Sequence, residues 1–317
     1  MPAFHVSRSI EIDADTQRVF DTLVDFGTWP TWSPWLLAER EAKLEFAEEP
    51  SGKEGWYSWD GEVIGAGKMQ HVSSSRPSSP GEAGRMEDQL NFFRPWKSEA
   101  KVYFEITPMK GTVSKVTWKM DSAVPFFLFF LKSMIASMVG MDYDRGLRML
   151  KEHLETGTIS SETTVHGLSK LEGMTVVGLS DTCELESIGP SMEKIMNQVK
   201  EKFSGSEFIR DARWVSLYHK LNLKTQVMRY TTGIMLPAGA SVPSGLDQHE
   251  IPSMTAFRVS HRGCYAHIGN AWFAAHQHLQ AKKIKADRKR PGIEVYVSDP
   301  ETTPQAECVT DLFIAPK

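Results

Sequence analysis

The sequence predicts an α+β fold arranged as two consecutive domains. At 317 residues the chain is longer than most single domains, so two hydrophobic cores fit its length. In the first half, short strand-like runs precede one long helical pattern, which predicts an antiparallel sheet that grips a long C-terminal helix. In the second half, the order strand, helix, strand, strand occurs twice, which predicts an internal duplication.

The first half begins with a strand at 5–12 and a short helix. Asp15 is placed to cap this helix, because an aspartate before the first turn accepts hydrogen bonds from free backbone N–H groups. The helix is expected to bury Val19, Phe20, Leu23 and Val24. Six further strand-like runs, separated by Gly, Pro and Ser, follow at 42–47, 55–60, 66–73, 85–93, 99–107 and 112–120.

The stretch from Ala123 to Met141 is nearly all apolar and approaches the length of a membrane span. We predict a buried helix and no membrane span, because Lys132 at a bilayer centre costs about 2.5–3.5 kcal/mol. The helix is expected over about 126–155 and is amphipathic beyond the apolar run. Its predicted core stripe comprises Leu131, Ile135, Met138, Tyr143, Leu147, Leu150 and Leu154.

A small, polar and aperiodic segment follows this helix and predicts a domain boundary. We place the first domain at 1–157, a linker at 158–167 and the second domain at 168–317. The duplicated elements of the second half are expected at 172–184, 190–203, 213–219 and 226–235, and again at 254–261, 266–281, 292–298 and 307–315. The two helices carry the apolar stripes Met192, Ile195, Met196, Val199, Phe203 and Ile268, Ala271, Trp272, Ala275, Leu279.

Charge and motif content argue against several classes of function. A net charge of −4 gives no general attraction to phosphate backbones, so we predict no direct nucleic-acid binding. The basic run at 282–290 fits the solvated end of a helix. His276 and His278 are two apart on a helix and point in different directions, so we predict no metal site. The sequence contains no nucleotide-binding motif, so we also predict no cofactor. Three scattered cysteines and an N-terminus without an apolar signal segment predict a cytoplasmic location.

Four motifs stand out in the first half, Arg8-Ser9-Ile10-Glu11-Ile12, Trp32-Ser33-Pro34-Trp35, Tyr57-Ser58-Trp59-Asp60-Gly61 and Asp142-Tyr143-Asp144-Arg145-Gly146-Leu147. Over about residues 3–155 they resemble the SRPBCC superfamily of START-like and polyketide-cyclase-like helix-grip domains. The resemblance implies a fold but no particular reaction. Trp32, Trp59 and Trp118 are candidates for lining an apolar ligand cavity, and an equally open interpretation is that they fill the core.

The strand at 293–298 alternates aliphatic with polar or aromatic residues. One face carries Ile293, Val295 and Val297, and the other carries Glu294, Tyr296 and Ser298. Trp214 and Tyr218 alternate in the same way, so we expect the aliphatic faces under the helices and an aromatic cleft around Glu294. An acid among aromatic rings suits a lipophilic cation, and a desolvated glutamate suits a general base or acid. A third interpretation is a glutamate on a solvated sheet face.

The anchors of the second half are Gly263-Cys264-Tyr265, Trp272, the segment 292–300 and the closing segment 310–316. They resemble the GyrI-like family, the effector-binding module also attached to AraC-type and MerR-type regulators, over about residues 170–317. Phe313 stands where a tyrosine is common in the family. The resemblance implies that Glu294 is the acid of a ligand pocket. The aromatic pocket candidates are Trp214, Tyr218, Tyr230, Trp272 and Tyr296, with core packing favoured for Trp272.

These features predict a small-molecule binding protein that takes hydrophobic, aromatic or cationic compounds for sensing, sequestration or detoxification. A transcriptional regulator is less favoured, because the first domain stands where regulators of this family carry a helix-turn-helix domain. One alternative, implied by the resemblance, is a hydrolase of reactive electrophiles that uses Glu294 as general base with Tyr296 beside it. A further alternative is inhibition of a topoisomerase by direct contact, which requires a protein partner.

Overall fold

The computed structural model describes residues 3–124, 126–299 and 301–317, except for the side chains of residues 126–128. The chain divides after Ser160 into two compact units, which we call the first unit and the second unit. Within the described ranges, none of the helices combines the length and the hydropathy that a membrane span requires.

Seven strands form the sheet of the first unit. They are β1 (Ala3–Ile12), β2 (Lys43–Phe46), β3 (Trp56–Asp60), β4 (Ala66–Ser75), β5 (Gly84–Arg94), β6 (Ser98–Pro108) and β7 (Ser114–Ala123). Neighbouring strands are antiparallel, in the order β1-β7-β6-β5-β4-β3-β2. The hairpin-connected run from β2 to β7, with β1 returning beside β7, confirms the antiparallel sheet predicted from the sequence.

Three α-helices accompany this sheet, α1 (Thr16–Val24), α2 (Trp29–Trp32) and α3 (Lys132–Thr156). The Asp15 carboxylate accepts a hydrogen bond from the backbone N–H of Arg18 (2.9 Å), so the predicted N-cap is confirmed. Helix α3 lies against β1 and closes the hydrophobic core of the unit. The buried part of its predicted stripe is Tyr143, Leu147, Leu150 and Leu154.

The N-terminal part of the long helix differs from the prediction. Residues Phe126–Leu131 form 3-10 turns, and the α-helix begins only at Lys132. Phe129 and Phe130 are 58% and 62% exposed, so the expectation of a buried helix is wrong for this part. The physical reason is that Phe129, Phe130 and Leu131 are consecutive apolar residues, and one face of a 3-10 turn cannot bury all three.

Eight strands form the sheet of the second unit. They are β8 (Ser161–Leu171), β9 (Met174–Glu184), β10 (Trp214–Asn222), β11 (Val227–Met235), β12 (Asp247–Ile251), β13 (Met254–Gly263), β14 (Gly292–Tyr296) and β15 (Val309–Ile314). Their order is β12-β9-β11-β10-β14-β15-β13-β8, and neighbours are antiparallel. Strand β8 occupies most of the stretch expected to be a linker, because its β-branched residues pair with β13.

The strand order confirms the internal duplication. Repeat one consists of β9, α4 (Ile188–Lys202), β10 and β11, and repeat two consists of β13, α5 (Gly269–Ala281), β14 and β15. The strand order is symmetric about the central pair β10 and β14. On either side of this pair come β11 and β15, then β9 and β13, and finally the edge strands β12 and β8. A pseudo-twofold axis therefore passes between β10 and β14.

The helices cover the face of this sheet opposite to the one expected. Tyr296 and Trp214 pack with Ile195 and Val199 of α4, on the same face as Glu294. The aliphatic residues form a separate cluster, which contains no helix residue among those described: Leu171, Met174, Val176, Val215, Leu217, Ile251, Ala256, Ile293, Val295 and Phe313. That cluster draws on both edge strands, so the sheet curls over its own aliphatic face and leaves the Glu294 face to α4 and α5.

Candidate functional site

The candidate site lies on the pseudo-twofold axis of the second unit. The strand register places Ser216 of β10 directly opposite Glu294 of β14, so these two residues occupy equivalent positions in the two repeats. Tyr218 and Tyr296, each two residues further along its strand, are equivalent in turn and share the same face. The axis therefore brings one acid, one serine and two phenols together.

Glu294 is 1% exposed and accepts three hydrogen bonds. The hydroxyl of Tyr218 donates to its Oε2 at 2.7 Å, and the hydroxyl of Tyr296 donates to the same oxygen at 3.1 Å. The indole Nε1–H of Trp272 donates to Oε1 at 2.6 Å. Since a carboxylate oxygen has two lone pairs, Oε1 keeps one acceptor position for a further partner.

Burial dominates the electrostatics of this cluster. It raises the pKa of Glu294 above its ordinary value, and the hydrogen bonds from Trp272, Tyr218 and Tyr296 act in the opposite direction. The pKa values of Tyr218 and Tyr296 are raised well above the ordinary phenol value, first by burial and then by the neighbouring carboxylate. Both phenols are therefore protonated donors at neutral pH, and Glu294 is the group whose charge can change.

One side chain from each helix covers the acid. Met192 of α4 places its sulfur 4.0 Å from the Tyr218 hydroxyl and 3.9 Å from the Tyr296 hydroxyl. Trp272 of α5 meets the Tyr218 ring edge to face, with ring centroids 5.3 Å apart. Gly292 makes room for this indole, because a Cβ there would lie 2.6 Å from the Trp272 ring. Each helix thus contributes one side chain that contacts the acid or its phenol donors.

The structure brings four of the predicted pocket residues together, namely Tyr218, Trp272, Glu294 and Tyr296. The apolar stripe of α5 favours core packing for Trp272, but its Nε1–H also reaches the acid. Trp214 and Tyr230 make no contact with Glu294 among the described interactions. Trp214 lies under the ammonium of Lys200, and Tyr230 donates its hydroxyl to Ser191 at 2.6 Å.

The three tryptophans proposed for a cavity in the first unit are packed against other rings. Trp32 and Trp118 are 0% exposed, and their ring centroids lie 5.9 Å apart. Trp118 stacks on Tyr143 at 4.0 Å, and Trp59 lies 5.6 Å from the Tyr57 ring. All of these side chains belong to one hydrophobic core. Their observed positions match the interpretation in which they fill the interior.

The first unit also contains a buried histidine–aspartate pair that the sequence patterns did not single out. Nδ1 of His71 lies 2.6 Å from Oδ1 of Asp88, and its Nε2 lies 2.9 Å from the carbonyl oxygen of Val24. The two residues are 6% and 0% exposed, and Phe26 stacks on the imidazole at 4.1 Å. The sequence signal that could have revealed this pair is the alternation along β4 and β5. His71 lies two residues after the inward-facing Met69, and Asp88 lies two residues after the inward-facing Met86.

The pair holds one proton between its members. A carbonyl oxygen only accepts, so Nε2 of His71 carries a hydrogen and donates it to Val24. The short contact to Asp88 then contains a second proton, borne either by Nδ1 or by the carboxyl group. The pKa of His71 is raised by Asp88 despite its burial, and the pKa of Asp88 is raised by its own burial.

Comparison with protein families gives one match in each half of the chain. Residues 3–155 match the family described as polyketide cyclase, dehydrase and lipid transport. Residues 168–317 match the family described as the GyrI-like small molecule binding domain. No curated protein matches the chain.

Several solved structures also match the chain at low sequence identity. The cryo-EM structure of the EcmrR–DNA complex is 16% identical, with 58% of this chain and 65% of that chain covered and a TM-score of 0.40. SAV2435 bound to tetraphenylphosphonium is 16% identical, with 49% and 94% covered and a TM-score of 0.37. A START superfamily protein from Mycobacterium smegmatis is 20% identical, with 49% and 99% covered and a TM-score of 0.33.

Proposed function

Because this chain joins a domain of the polyketide cyclase, dehydrase and lipid transport family to a GyrI-like small molecule binding domain, we propose that it binds aromatic cations at Glu294. Binding at this site serves the sensing, sequestration or detoxification of such compounds. The site consists of Glu294 with Tyr218, Trp272 and Tyr296, under the cover of Met192.

The proposal rests on one observation: the Glu294 carboxylate is buried without a positively charged partner among the described residues. Its three partners are neutral donors, and no lysine or arginine among the described residues forms an ion pair with it. A buried carboxylate without a countercharge is costly, and a ligand cation that enters the site relieves that cost. The ring faces of Tyr218, Trp272 and Tyr296 add attraction for positive charge and exclude water.

Tetraphenylphosphonium tests the proposal, with neutral triphenylphosphine oxide as a control for aromatic binding. In Glu294→Gln the affinity for the cation is expected to fall by at least about ten-fold, because one buried charge pair is worth about 1.4 kcal/mol or more. The affinity for the neutral compound is expected to change little. Isothermal titration calorimetry measures both, and Glu307→Gln, which changes an exposed acid of the same unit, is the matched control.

The pH dependence gives an independent check. Burial raises the pKa of Glu294, and only the ionised form attracts a cation, so the affinity for tetraphenylphosphonium is expected to increase as the pH rises through this pKa. Equal affinity of wild type and Glu294→Gln for the cation at neutral pH would contradict the proposal.

A second candidate function uses the same residues as catalysts. A glutamate with a raised pKa inside an apolar cover is a competent general base toward water, and the hydroxyl of Tyr296 at 3.1 Å is a donor for a developing oxyanion. A hydrolase yields a product that has gained water, detected by mass spectrometry after incubation with strained electrophiles. Loss of that product in Glu294→Gln supports the hydrolase. If every compound is recovered intact, the hydrolase is refuted and the binding function is retained.

A further inference from the structure

A chain of hydroxyl groups leads to the Glu294 carboxylate inside the second unit. The hydroxyl oxygen of Tyr296 lies 3.1 Å from Oε2 of Glu294 and 3.2 Å from Oγ of Ser216. Oγ of Ser216 lies in turn 2.8 Å from Oγ1 of Thr232, which stands directly opposite it in the sheet. Ser216 and Thr232 are both 0% exposed. Three buried hydroxyls are therefore connected in series to the acid.

The direction of the chain follows from the acid at its end. An ionised carboxylate only accepts, so the proton of Tyr296 points to Oε2 and the phenol oxygen accepts from Ser216. The proton of Ser216 is then committed to Tyr296, so Oγ of Ser216 accepts from Thr232. Burial raises the pKa of Tyr296, and the hydrogen bond from Ser216 opposes that rise, as a donor to the phenol oxygen does. When Glu294 is ionised, all three O–H groups thus turn their positive ends toward it.

The chain is a feature of repeat one that has no copy in repeat two. The pseudo-twofold axis makes Glu294 the counterpart of Ser216, and it makes Leu312 the counterpart of Thr232. The cross-strand pair of hydroxyls in repeat one is therefore replaced by an acid and an aliphatic side chain in repeat two. Of the two phenols at the acid, only Tyr296 receives a hydrogen bond from another hydroxyl among the described interactions.

We propose that Ser216 and Thr232 are positioning residues of the Glu294 site. Their hydroxyls hold the hydroxyl of Tyr296 with its proton toward the carboxylate and strengthen that hydrogen bond, because hydrogen bonds in a chain polarise one another. Neither side chain bonds to the acid itself among the described interactions, so each acts through Tyr296. The chain stabilises the charged form of the acid, and its consequence for a cationic ligand rests on the proposed function.

The other titratable groups around the acid are neutral near pH 7. Burial raises the pKa of Tyr218 well above its ordinary value and raises the pKa of Tyr265 to about 12. Burial lowers the pKa of His276, whose imidazole stacks on Trp272 with ring centroids 6.2 Å apart. No lysine or arginine among the described residues forms an ion pair with Glu294. A change in the pKa of Glu294 after removal of a more distant hydroxyl therefore reports on the hydrogen-bond chain.

Titration of Glu294 in the ligand-free protein tests the chain. Carbon-13 NMR of protein labelled at the glutamate carboxyl carbon follows the acid, and Glu294→Gln identifies its signal. Ser216→Ala is expected to raise the pKa of Glu294 by about 0.2–0.6 pH units, because each hydrogen bond in the chain strengthens the next by about 10–30%. Thr232→Val, at nearly constant volume, is expected to raise this pKa by a smaller amount. Thr232→Ser keeps the hydroxyl and is expected to leave the pKa at its wild-type value.

Ser180→Ala is the matched control. Oγ of Ser180 lies 2.8 Å from Oγ1 of Thr231, so these residues form a cross-strand serine–threonine pair of the same sheet, with no described connection to Glu294. The pKa of Glu294 is expected to stay unchanged in this variant. Tyr296→Phe removes the link between the chain and the acid, so adding Ser216→Ala to it is expected to give no further shift.

The outcomes separate the positioning role from the proposed function. Below the pKa of Glu294, Ser216→Ala is expected to weaken tetraphenylphosphonium about 1.5- to 4-fold and to leave triphenylphosphine oxide unchanged, as calorimetry measures. If the pKa shifts occur but no cation binds, the positioning role is supported and the proposed function fails. If Ser216→Ala and Thr232→Val leave the pKa unchanged, or Ser216→Ala shifts it equally in the Tyr296→Phe background, the positioning role is refuted, whether or not the cation binds.

Discussion

Asp88 in the first unit and Glu294 in the second are the most deeply buried carboxylates among the described residues, and the two are held in different ways. Asp88 of the first unit has a partner that can carry a positive charge, the imidazole of His71 at 2.6 Å. Glu294 of the second unit has three neutral donors, two phenols and an indole. Burial is the main cause of the raised pKa of both acids. The countercharge is internal to the first unit, whereas in the second unit no described residue supplies one and, under the proposed function, it comes from the ligand.

The contrast indicates that burial of an acid does not by itself mark a functional site. The His71–Asp88 pair sits behind a stacked Phe26 and donates onward to a backbone carbonyl, so both nitrogens of the ring are engaged by the fold. Glu294 keeps one lone pair of Oε1 unused and is covered by side chains of two helices. An acid with remaining capacity under a displaceable cover is the better candidate for binding.

Removing the internal partner should give the largest effect. Asp88→Ala leaves Nδ1 of the buried His71 without a partner, which is expected to lower the free energy of unfolding of the first unit by about 3–5 kcal/mol. Tryptophan fluorescence during urea denaturation measures this transition, because seven of the nine tryptophans lie in the first unit. A loss below about 1 kcal/mol would show that the pair contributes little to the fold.

The stability of the first unit should also depend on pH. The folded pKa values of both His71 and Asp88 are raised, so the folded state retains a proton that the unfolded state releases more easily. The contribution of His71 is fully present below its unfolded pKa of about 6.5 and is lost as the pH rises through its folded pKa. The tryptophan-detected denaturation midpoint is therefore expected to fall on going from about pH 6 to about pH 9.

Asp88→Asn is the control for this pH dependence. The amide can donate to Nδ1 of a neutral His71 while Nε2–H still donates to Val24, so no extra proton is held. The midpoint of this variant should change less between the two pH values. A slope equal to that of wild type would assign the pH dependence to other groups.

Glu294→Gln should have the smallest effect on stability. The amide oxygen of the introduced glutamine can accept from Trp272, and its NH₂ can donate to the hydroxyls of Tyr218 and Tyr296, which also accept. The melting temperature of the free protein is expected to shift by less than about 4 °C, equivalent to roughly 1 kcal/mol for a unit of this size. A larger loss would mean that the carboxylate serves the fold as Asp88 does.

Local patterns were sufficient to predict much of the second unit and part of its site. Alternation along one strand placed Glu294 and Tyr296 on one face, and alternation along another did the same for Trp214 and Tyr218; the structure adds the register that sets Tyr218 beside the acid. The pattern could not tell which face the helices cover, because both faces of β14 are buried at Ile293 and at Glu294. The curling of the sheet decided that, and curling depends on contacts between edge strands far apart in sequence.

Contacts between distant segments account for the other differences. Trp272 reaches the acid because Gly292, twenty positions later in the chain, leaves room for its indole ring. The presence of a glycine at this position in the sequence did not by itself indicate that contact. To predict the His71–Asp88 pair, one must know that β4 and β5 are neighbours and that both residues stand at inward-facing positions directly opposite each other. The capping of α1 by Asp15 was predictable, because the interaction spans three residues of one segment.

Gly292 also determines which part of the second unit can open. In repeat one the equivalent position holds Trp214, whose indole is fixed to a central strand of the sheet. In repeat two the strand residue has no side chain, and the indole above it comes from α5 instead. Swinging Trp272 aside breaks one hydrogen bond to Glu294 and none of the hydrogen bonds between strands. The backbone hydrogen bonds of the sheet therefore stay intact when Trp272 moves, and under the proposed function the barrier to ligand entry lies in the movement of this one helix side chain.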